Sequence, residues 1–437
     1  MHPDARPPSP SWNRRDFLRA GALAAAACLA PARAAAAGKN APAPALAPRD
    51  EILKRIAGAR PLRGGPVPAD LARRLGTAHV SGRYHFTDKP FLIEGAERVL
   101  SLGLGCVKFW FASIGRAYRF NSEWNLPESY TYKQLAEHPY FARALDLPFN
   151  AIALELYPAK LLDTPGAGVD FLAPGADFSE DERQTRELAQ HLLAKYKDRD
   201  VTFLLQNWEG DWMFRGAARK EWARGEYPQL ERRAEGFAGW FAARQRGVEQ
   251  ARAAAPGARC KVFHAVEVNR VFDALKNIPT ITTHVLPAIR PDYISWSCYD
   301  GLKTESRSAE KTAAGLWQGL DIIQRHARTT QRDFEGKPAV YIGEIGFPEE
   351  VVPAPAVVKM MDGAMAVMFA RRIPYIFHWE LYCNERKDGR RFPVEKPETA
   401  ADLRGFWLVR PDGSTGHTGE YFRKLLANAG GGGDKMQ

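Results

Sequence analysis

Carboxyl side chains follow two apolar, strand-like runs of this chain. One run reads VTFLLQ and is followed by Asn207, Glu209 and Asp211, and the other reads AVYIGE and ends at Glu344. Two carboxyls that face each other across one cavity can divide acid–base work, because one protonates a leaving oxygen while the other attacks a carbon atom or activates water. The residue types therefore indicate Glu209 and Glu344 as a candidate catalytic pair, with Asp211 as the alternative to Glu209.

Eight β-rich runs alternate with longer helical patterns along most of the chain. The strand-like runs begin near Thr77, Val107, Ala151, Val201, Lys261, Tyr293, Ala339 and Tyr375. The helical patterns cover residues 91–102, 180–196, 230–254, 309–328, 356–371 and 420–427. Near-continuous apolar strands separated by helices favour a parallel sheet with both faces buried. Eight such units predict an α/β fold, one (β/α)8 TIM barrel in a single domain.

This architecture places the candidate pair at one end of the barrel. Reactive groups of such barrels collect at the C-terminal ends of the strands and in the loops that follow. The fourth and seventh strands lie on roughly opposite sides of the ring, so Glu209 and Glu344 can face each other. Glycosidic bonds are cleaved by carboxyl pairs of this kind, about 5 to 5.5 Å apart when configuration is retained. An open doubly wound sheet is the alternative fold, but no Gly-rich phosphate loop follows the first strand.

The strand ends resemble those of a large clan of retaining glycoside hydrolases on (β/α)8 barrels, the cellulase and β-galactosidase superfamily. Glu344, within Gly-Glu-Ile-Gly-Phe-Pro, matches the nucleophile motif of that clan. Asn207 and Glu209 are similar to its Asn–Glu pair, in which the Asn holds the sugar 2-hydroxyl and the Glu is the acid/base. The clan's pair is adjacent, whereas Trp208 separates the two residues here.

The resemblance also implies roles at the sixth and eighth strands. Tyr299 stands where the clan has a Tyr whose hydroxyl orients the nucleophile, and Ser297 stands where the clan often has a His. Trp379 stands where the clan has a stacking floor for the sugar. The resemblance covers roughly residues 77–428 and implies a poly- or oligosaccharide substrate, with no cofactor and no metal ion.

Other polar and aromatic residues near the strand ends are candidate sugar contacts. They are Trp110, Glu155, His264, Glu267 and, if it is not the acid/base, Asp211. Glu155 ends an otherwise apolar strand, so its carboxyl must be paired or functional if it is buried. The aromatic residues of the loop 116–130 are expected either to provide further sugar platforms or to pack the loop onto the domain.

Two other classes of protein are alternatives to the hydrolase. A metal-dependent hydrolase needs clustered imidazoles and carboxylates at ligand spacing, but His79 and His85 are six residues apart and form no His-x-His pair. A barrel that binds glycans without cleaving them is the second alternative, and the displaced position of Glu209 favours it. Loop shapes, rather than the fold, select the sugar and the linkage.

The N-terminus resembles a bacterial twin-arginine signal peptide. The motif NRRDFLR begins at Asn13, an Ala-rich apolar stretch follows, and small residues near Ala34 and Ala36 suit cleavage. We expect a signal peptide over 1–36, a disordered Ala/Pro linker over 37–50, the barrel over 51–430 and a disordered tail over 431–437. The signal implies the twin-arginine export machinery as a partner and a periplasmic or extracellular location.

Charge and hydropathy exclude other partners. The formal charge of +10 falls to +7 without residues 1–36, which hold five arginines and two aspartates. The basic residues are scattered rather than clustered with aromatics, so nucleic acid is not a predicted partner. No internal apolar run has the length of a bilayer span, so no stable membrane insertion is expected after cleavage.

Overall fold

A closed parallel barrel forms the centre of the molecule. The computed structural model describes residues 46–127, 129–159, 171–173, 175–390 and 398–430. The strands within them are β1 Leu75–His79, β2 Cys106–Trp110, β3 Ala151–Glu155, β4 Thr202–Gln206, β5 Lys261–Val268, β6 Tyr293–Ser297, β7 Val340–Ile345 and β8 Ile376–His378. Each strand pairs in parallel with the next, and β1 pairs with β8 to close the ring. The predicted (β/α)8 barrel is confirmed.

Helices surround the barrel between the strands. They are α1 Arg49–Ile56, α2 Phe91–Ser101, α3 Ile114–Ala117, α4 Tyr132–Glu137, α5 Pro139–Asp146, α6 Ser179–Lys195, α7 Gly210–Arg215, α8 Arg219–Ala223, α9 Leu230–Ala253, α10 Ile281–His284, α11 Tyr299–Leu302, α12 Ala309–His326, α13 Ala354–Ala370 and α14 His417–Gly430. The six helices expected from the sequence begin and end within three residues of their predicted bounds. Their apolar faces cover the outside of the sheet, which is why the strands are apolar on both faces.

Side chains that point into the barrel change from apolar to polar along the strands. An apolar interior cluster includes Cys106, Ala151, Ala153, Leu204, Ala265, Tyr341 and Phe377. Strand side chains alternate between faces, so residues two positions further along share the same inward direction. Those positions on β2 to β6 carry Lys108, Glu155, Gln206, Glu267 and Ser295, and all five are buried. A polar layer therefore lies directly beneath the C-terminal mouth of the barrel.

The chain enters the domain earlier than predicted. Ile52 and Ile56 of α1 are buried, and the side-chain amide of Gln318 donates to the carbonyl oxygen of Ala47 at 3.0 Å. Leu46 and Ala47 thus pack against the domain core, within the stretch predicted as linker. The expected signal peptide over 1–36, the rest of the linker and the tail over 431–437 lie outside the described residues.

In the described part of the chain, no helix combines the length and the apolar character needed to cross a bilayer.

Candidate active site

Glu209 and Glu344 meet at the mouth of the barrel, on either side of Ser297. The Ser297 Oγ lies 3.3 Å from Glu209 Oε1 and 3.2 Å from Glu344 Oε2. The two carboxylate oxygens can therefore be no further apart than the sum of these distances, about 6.5 Å. Both glutamates are buried, each with 4% of its surface exposed. The structure brings together the two acids on which the sequence interpretation depended.

Glu209 lies beyond the end of β4 rather than within the strand. Strand β4 ends at Gln206, and Glu209 immediately precedes α7. Trp208 therefore occupies the turn between β4 and α7, so the alternation of a regular strand does not apply to Asn207 and Glu209. The backbone N–H of Glu209 donates to Glu267 Oε1 at 3.0 Å, which anchors the turn to β5.

A bulge in β7 directs Glu344 into the barrel. Ser295 pairs with Tyr341 and Trp296 with Ile342, but Ser297 pairs with Glu344, so Gly343 is an extra residue on β7. Gly343 faces the barrel interior, and in a regular strand the next residue, Glu344, would point outward. Bulges often re-aim a side chain next to a functional site. The bulge is what places the Glu344 carboxyl beside Ser297.

Three glutamates surround the ammonium of Lys108 in the polar layer. Lys108 Nζ lies 2.8 Å from Glu155 Oε2, 3.2 Å from Glu267 Oε2 and 2.8 Å from Glu344 Oε1. We call Glu155, Glu267 and Glu344 the glutamate cage. The side chains of Lys108, Glu155 and Glu267 have no exposed surface, and that of Glu344 is 5% exposed. The cage therefore holds a buried cation next to the candidate nucleophile.

Glu267 is the most extensively hydrogen-bonded member of the glutamate cage. Its Oε2 accepts from Gln206 Nε2 at 2.6 Å and from Ser295 Oγ at 2.9 Å, in addition to Lys108. Its Oε1 accepts from the Glu209 backbone, as described above. These contacts use the carboxylate within the protein, which differs from the sugar contact expected for Glu267.

Burial and mutual repulsion change the protonation of the buried acids. Burial raises the pKa of Glu155 well above its usual range, and the charges of Glu267 and Glu344 add to this, although Lys108 opposes it. Burial also raises the pKa of Glu267, again against the effect of Lys108. Glu380, which follows β8, is fully buried, and burial raises the pKa of its carboxyl well above its usual range. Perturbed acids gathered at one mouth are typical of functional sites.

Asp211 is excluded as the acid/base by its contacts. Its Oδ2 accepts the backbone N–H groups of Asn269 at 2.9 Å and Arg270 at 3.0 Å, and its Oδ1 accepts that of Ile281 at 2.7 Å. The carboxylate is fully buried. Asp211 thus fastens the loop after β5 to α7, and of the two alternatives only Glu209 faces Glu344.

Two predicted sugar contacts point elsewhere. The His264 ring lies on the outer face of β5, where its Nδ1 is 3.2 Å from Gln245 Oε1 of α9, so the predicted substrate contact is wrong. Asn207 is fully buried. Its Oδ1 accepts the Glu267 N–H at 2.9 Å, and its Nδ2 lies 3.2 Å from the carbonyl oxygens of Glu267 and Trp208. Asn207 therefore joins β4 to β5 instead of facing a sugar.

Aromatic residues line the mouth near the pair. The Tyr157 ring lies 6.1 Å from that of Trp110 and 6.3 Å from that of Trp208, measured between centroids. Trp379 follows β8 and is 7% exposed. Burial raises the pKa of Tyr299 well above its usual range, and the charges of Glu344 and Glu209 raise it further, so this phenol stays protonated beside the pair. These rings are available to contact an apolar face of a ligand.

The aromatic residues of the loop after β2 pack inward. Tyr118 is fully buried and its hydroxyl donates to the carbonyl oxygen of Trp110 at 3.0 Å. Trp124 packs against Tyr118, His138 and Phe141. These residues therefore pack the loop onto the domain, which is one of the two expectations for it.

Sequence reasoning missed several residues of the site. Lys108, Gln206, Ser295 and Glu380 were given no role, and Ser297 was noted only as a departure from the resemblance. A lysine within the apolar run CVKFW is the signal that could have identified Lys108, because a charge on a buried strand requires a partner. Gln206 of β4 and Ser295 of β6 carry no comparable signal, since neither side chain bears a charge.

Among the described residues, the group with metal-ligand chemistry is the glutamate cage, whose ligand oxygens lie within 4.8 Å of one another. The Lys108 ammonium already lies between these oxygens. His79 contributes nothing to it, because its Nε2 lies 2.8 Å from the Phe91 carbonyl oxygen and its ring packs against Phe91. The arrangement suits an ammonium rather than a divalent ion.

Comparison with known proteins supports the fold. Protein-family models and curated proteins showed no match to the chain. Among solved structures, GH5_18 from Streptomyces cattleya in complex with GlcNAc is similar, with a TM-score of 0.50 and 15% identity over 84% of this chain and 81% of that one. GH5_18 from Bifidobacterium longum subsp. longum has a TM-score of 0.48 and 12% identity over 82% and 79% of the two chains. The first likeness shows that the chain shares the barrel fold of that protein.

Proposed function

We propose that this protein is a glycoside hydrolase that cleaves O-glycosidic bonds of a poly- or oligosaccharide with retention of configuration. The observation that carries the proposal is the pair of mouth carboxyls, Glu209 and Glu344, each of which has one oxygen within hydrogen-bond distance of the Ser297 hydroxyl. Their separation limit of about 6.5 Å includes the 5 to 5.5 Å typical of retaining pairs. The barrel with its strand-end acids and aromatic rings is in keeping with a sugar substrate.

The reaction is a double displacement. Glu344 attacks the anomeric carbon while the Glu209 proton passes to the leaving oxygen, so that the glycosidic bond breaks and a glycosyl ester of Glu344 forms. Water then attacks the anomeric carbon and gives a proton to Glu209, and the ester bond to Glu344 breaks. One water is consumed, and both carboxyls return to their starting protonation states.

Ser297 supports this division of roles. A hydroxyl has one hydrogen, so Ser297 can donate to only one of its two carboxyl neighbours at a time. If it donates to ionised Glu344, its oxygen is free to accept the proton of neutral Glu209. In this arrangement one carboxyl is charged and the other is neutral. Repulsion between two like charges at short range also favours that distribution.

The decisive experiment measures hydrolysis by the mature protein. A panel of polysaccharides, aryl glycosides and GlcNAc-containing oligosaccharides is screened with the wild-type protein and with Glu344→Gln and Glu209→Gln. We expect turnover of at least one substrate and a loss of at least about a thousandfold in Glu344→Gln. Glu335→Gln, a change at an exposed acid, is the matched control and should retain full turnover.

The stereochemistry of the first product tests the mechanism. NMR spectra recorded in the first minutes of the reaction should show the anomer of the substrate, because two displacements at one carbon restore its configuration. Inverted product would mean that Glu344 activates water instead of attacking carbon. Turnover that persists in Glu344→Gln would show that Glu344 is not the nucleophile.

Two alternatives are separated by simple measurements. A barrel that only binds glycans would bind members of the panel in calorimetry, show no turnover, and keep its affinity in Glu344→Gln. A metal-dependent hydrolase would lose its turnover in EDTA and regain it with added metal, whereas two carboxyls and water need no metal. We expect turnover to be unchanged by EDTA.

Export by the twin-arginine route is the second part of the proposal. It is supported by the paired Arg14 and Arg15 before an apolar stretch, and it implies a periplasmic or extracellular location. Replacing both arginines by lysine should retain the protein in the cytoplasm, as measured by cell fractionation and immunoblotting. Equal export of the variant would contradict this route.

A further inference from the structure

Lys108 lies among three glutamates of the site, although the proposed reaction gives it no role. Its ammonium contacts Glu344 Oε1 directly and occupies the centre of the glutamate cage. An isolated charge in a low-dielectric interior is unstable, so these buried groups depend on one another. Loss of the ammonium would leave three neighbouring acids without a cation.

The same ammonium reaches the acid/base through one intermediate residue. Glu267 uses Oε2 to accept from Lys108 and Oε1 to accept the backbone N–H of Glu209, at 3.2 and 3.0 Å. Gln206 and Ser295 hold the same carboxylate from β4 and β6. Lys108 is thus linked to both proposed catalytic acids, to Glu344 by contact and to Glu209 through Glu267.

We propose that Lys108 is a positioning residue, the resident cation of the glutamate cage, which holds the Glu344 carboxyl in place beside Ser297 and, through Glu267, fixes the turn from which Glu209 projects. This inference rests on the proposed function, because that function assigns Glu344 and Glu209 their roles. Lys108 itself lies beneath the mouth and fully buried, so it acts on the reaction through the acids.

Charge balance in the cage agrees with this role. One ammonium cannot neutralise three carboxylates, so at least one acid holds a proton. Glu155 is that acid, because among the described residues its carboxyl contacts one polar group, the Lys108 ammonium. Glu267 accepts four hydrogen bonds and therefore acts as an anion. The high pKa of Glu155, caused chiefly by burial, is in keeping with this assignment. The ammonium is then shared chiefly by ionised Glu267 and Glu344.

Other titratable groups facing the cage and Glu344 do not replace the ammonium. They are Glu209, Tyr157, Cys298, Tyr299, Tyr341 and Glu380. Each of them is neutral or negative at neutral pH. Among the described residues, the cation that contacts Glu344 is therefore Lys108.

Rescue by small amines tests the cage directly. Lys108→Ala removes the ammonium and leaves a cavity lined by the three acids. We expect kcat to fall by about 100-fold or more, with a smaller change in KM, because a charge beside the nucleophile is lost. Ammonium, methylamine or ethylamine should restore part of the kcat in a saturable manner, whereas tetramethylammonium at equal ionic strength should not.

The pH profile gives a second measurement that a merely structural role would not change. Lys108→Met keeps the length of the side chain without its charge. The acid limb of kcat/KM should move to higher pH, because the charge of Lys108, which lowers the pKa of its cage neighbours Glu155 and Glu267, is lost. Lys261→Met, at an exposed lysine that begins β5, is the matched control and should keep the wild-type profile.

The outcomes separate this inference from the proposed function. If amines raise the melting temperature of Lys108→Ala but not of the wild type, while the wild type cleaves no substrate, the cation cage is supported and the hydrolase proposal fails. If the wild type cleaves its substrate but folded Lys108→Met keeps the wild-type pH profile and Lys108→Ala shows no amine rescue, Lys108 is not a positioning residue.

Discussion

Ser297 shows how a single small residue can set the geometry of two others. Its hydroxyl lies 3.3 Å from Glu209 Oε1 and 3.2 Å from Glu344 Oε2, and the residue is fully buried. A larger ring at this position would separate the acids or replace the direct link between them. In this protein, the link between acid/base and nucleophile therefore consists of one oxygen and one hydrogen.

Removal of that hydroxyl should slow the reaction. In Ser297→Ala the proposed nucleophile Glu344 loses a hydrogen bond worth about 1.5 to 3 kcal/mol, because bonds to charged groups are stronger than neutral ones. We therefore expect kcat/KM to fall by at least about tenfold. An unchanged kcat/KM, measured on protein with the wild-type melting temperature, would show that Ser297 only fills space.

At the scale of elements, β7 is shaped by its neighbours. Gly343 is the extra residue of the bulge, and a Cβ at that position would lie 2.0 Å from Ser295 Oγ and 2.5 Å from Glu267 Oε2. Both neighbours are held by hydrogen bonds, so neither can move aside freely. Glycine is therefore required for β7 to approach the polar layer and still turn Glu344 inward.

Gly343→Ala should disturb both stability and turnover. We expect the free energy of unfolding in urea to fall by about 1 to 3 kcal/mol, the usual effect of overpacking a close-packed interior. Turnover should fall as well, because Glu267 must shift and it holds the backbone of Glu209. Gly115→Ala is the matched control, since no atom lies within 4 Å of its added Cβ. Equal stability of the two variants would contradict the close packing at Gly343.

At the scale of the whole molecule, buried histidines make the fold sensitive to acid. Burial lowers the pKa of His79 to about 4 and that of His378 to about 3. Above pH 6.5 each ring is neutral in both the folded and the unfolded chain. Between pH 6.5 and the folded pKa, the unfolded chain binds a proton that the native protein does not, so native stability falls as the pH falls.

The contribution of His79 can be measured by replacing it with a residue that does not titrate. The shift from 6.5 to about 4 corresponds to about 3 kcal/mol of native stability, lost as the pH falls through this interval. Urea unfolding at several pH values should show a smaller loss between pH 6.5 and 4 for His79→Gln than for the wild type. His85→Gln, at an exposed ring, should keep the wild-type slope, and equal slopes for all three proteins would contradict the prediction.

Particular elements show how far the sequence could be interpreted. The eight strands and six long helices follow from local patterns, because burial on both faces selects continuous apolar runs and helices repeat every 3.6 residues. The pairing of Glu209 with Glu344 could be expected from strand order alone. The His264 contact was wrong, and Leu46 and Ala47 of the predicted linker pack against the domain. Neither the outward direction of one β5 residue nor these long-range contacts are visible in local pattern.

The sequence alone determined the barrel and the two acids at the C-terminal ends of strands on opposite sides of the ring. Both features depend on periodicity and on the order of elements along the chain. The tertiary structure decided that Asp211 fastens a loop, that a bulge at Gly343 turns Glu344 inward, and that Lys108 lies among three glutamates. These features depend on distances between residues far apart in the chain, and only the closed ring of strands brings those residues into contact.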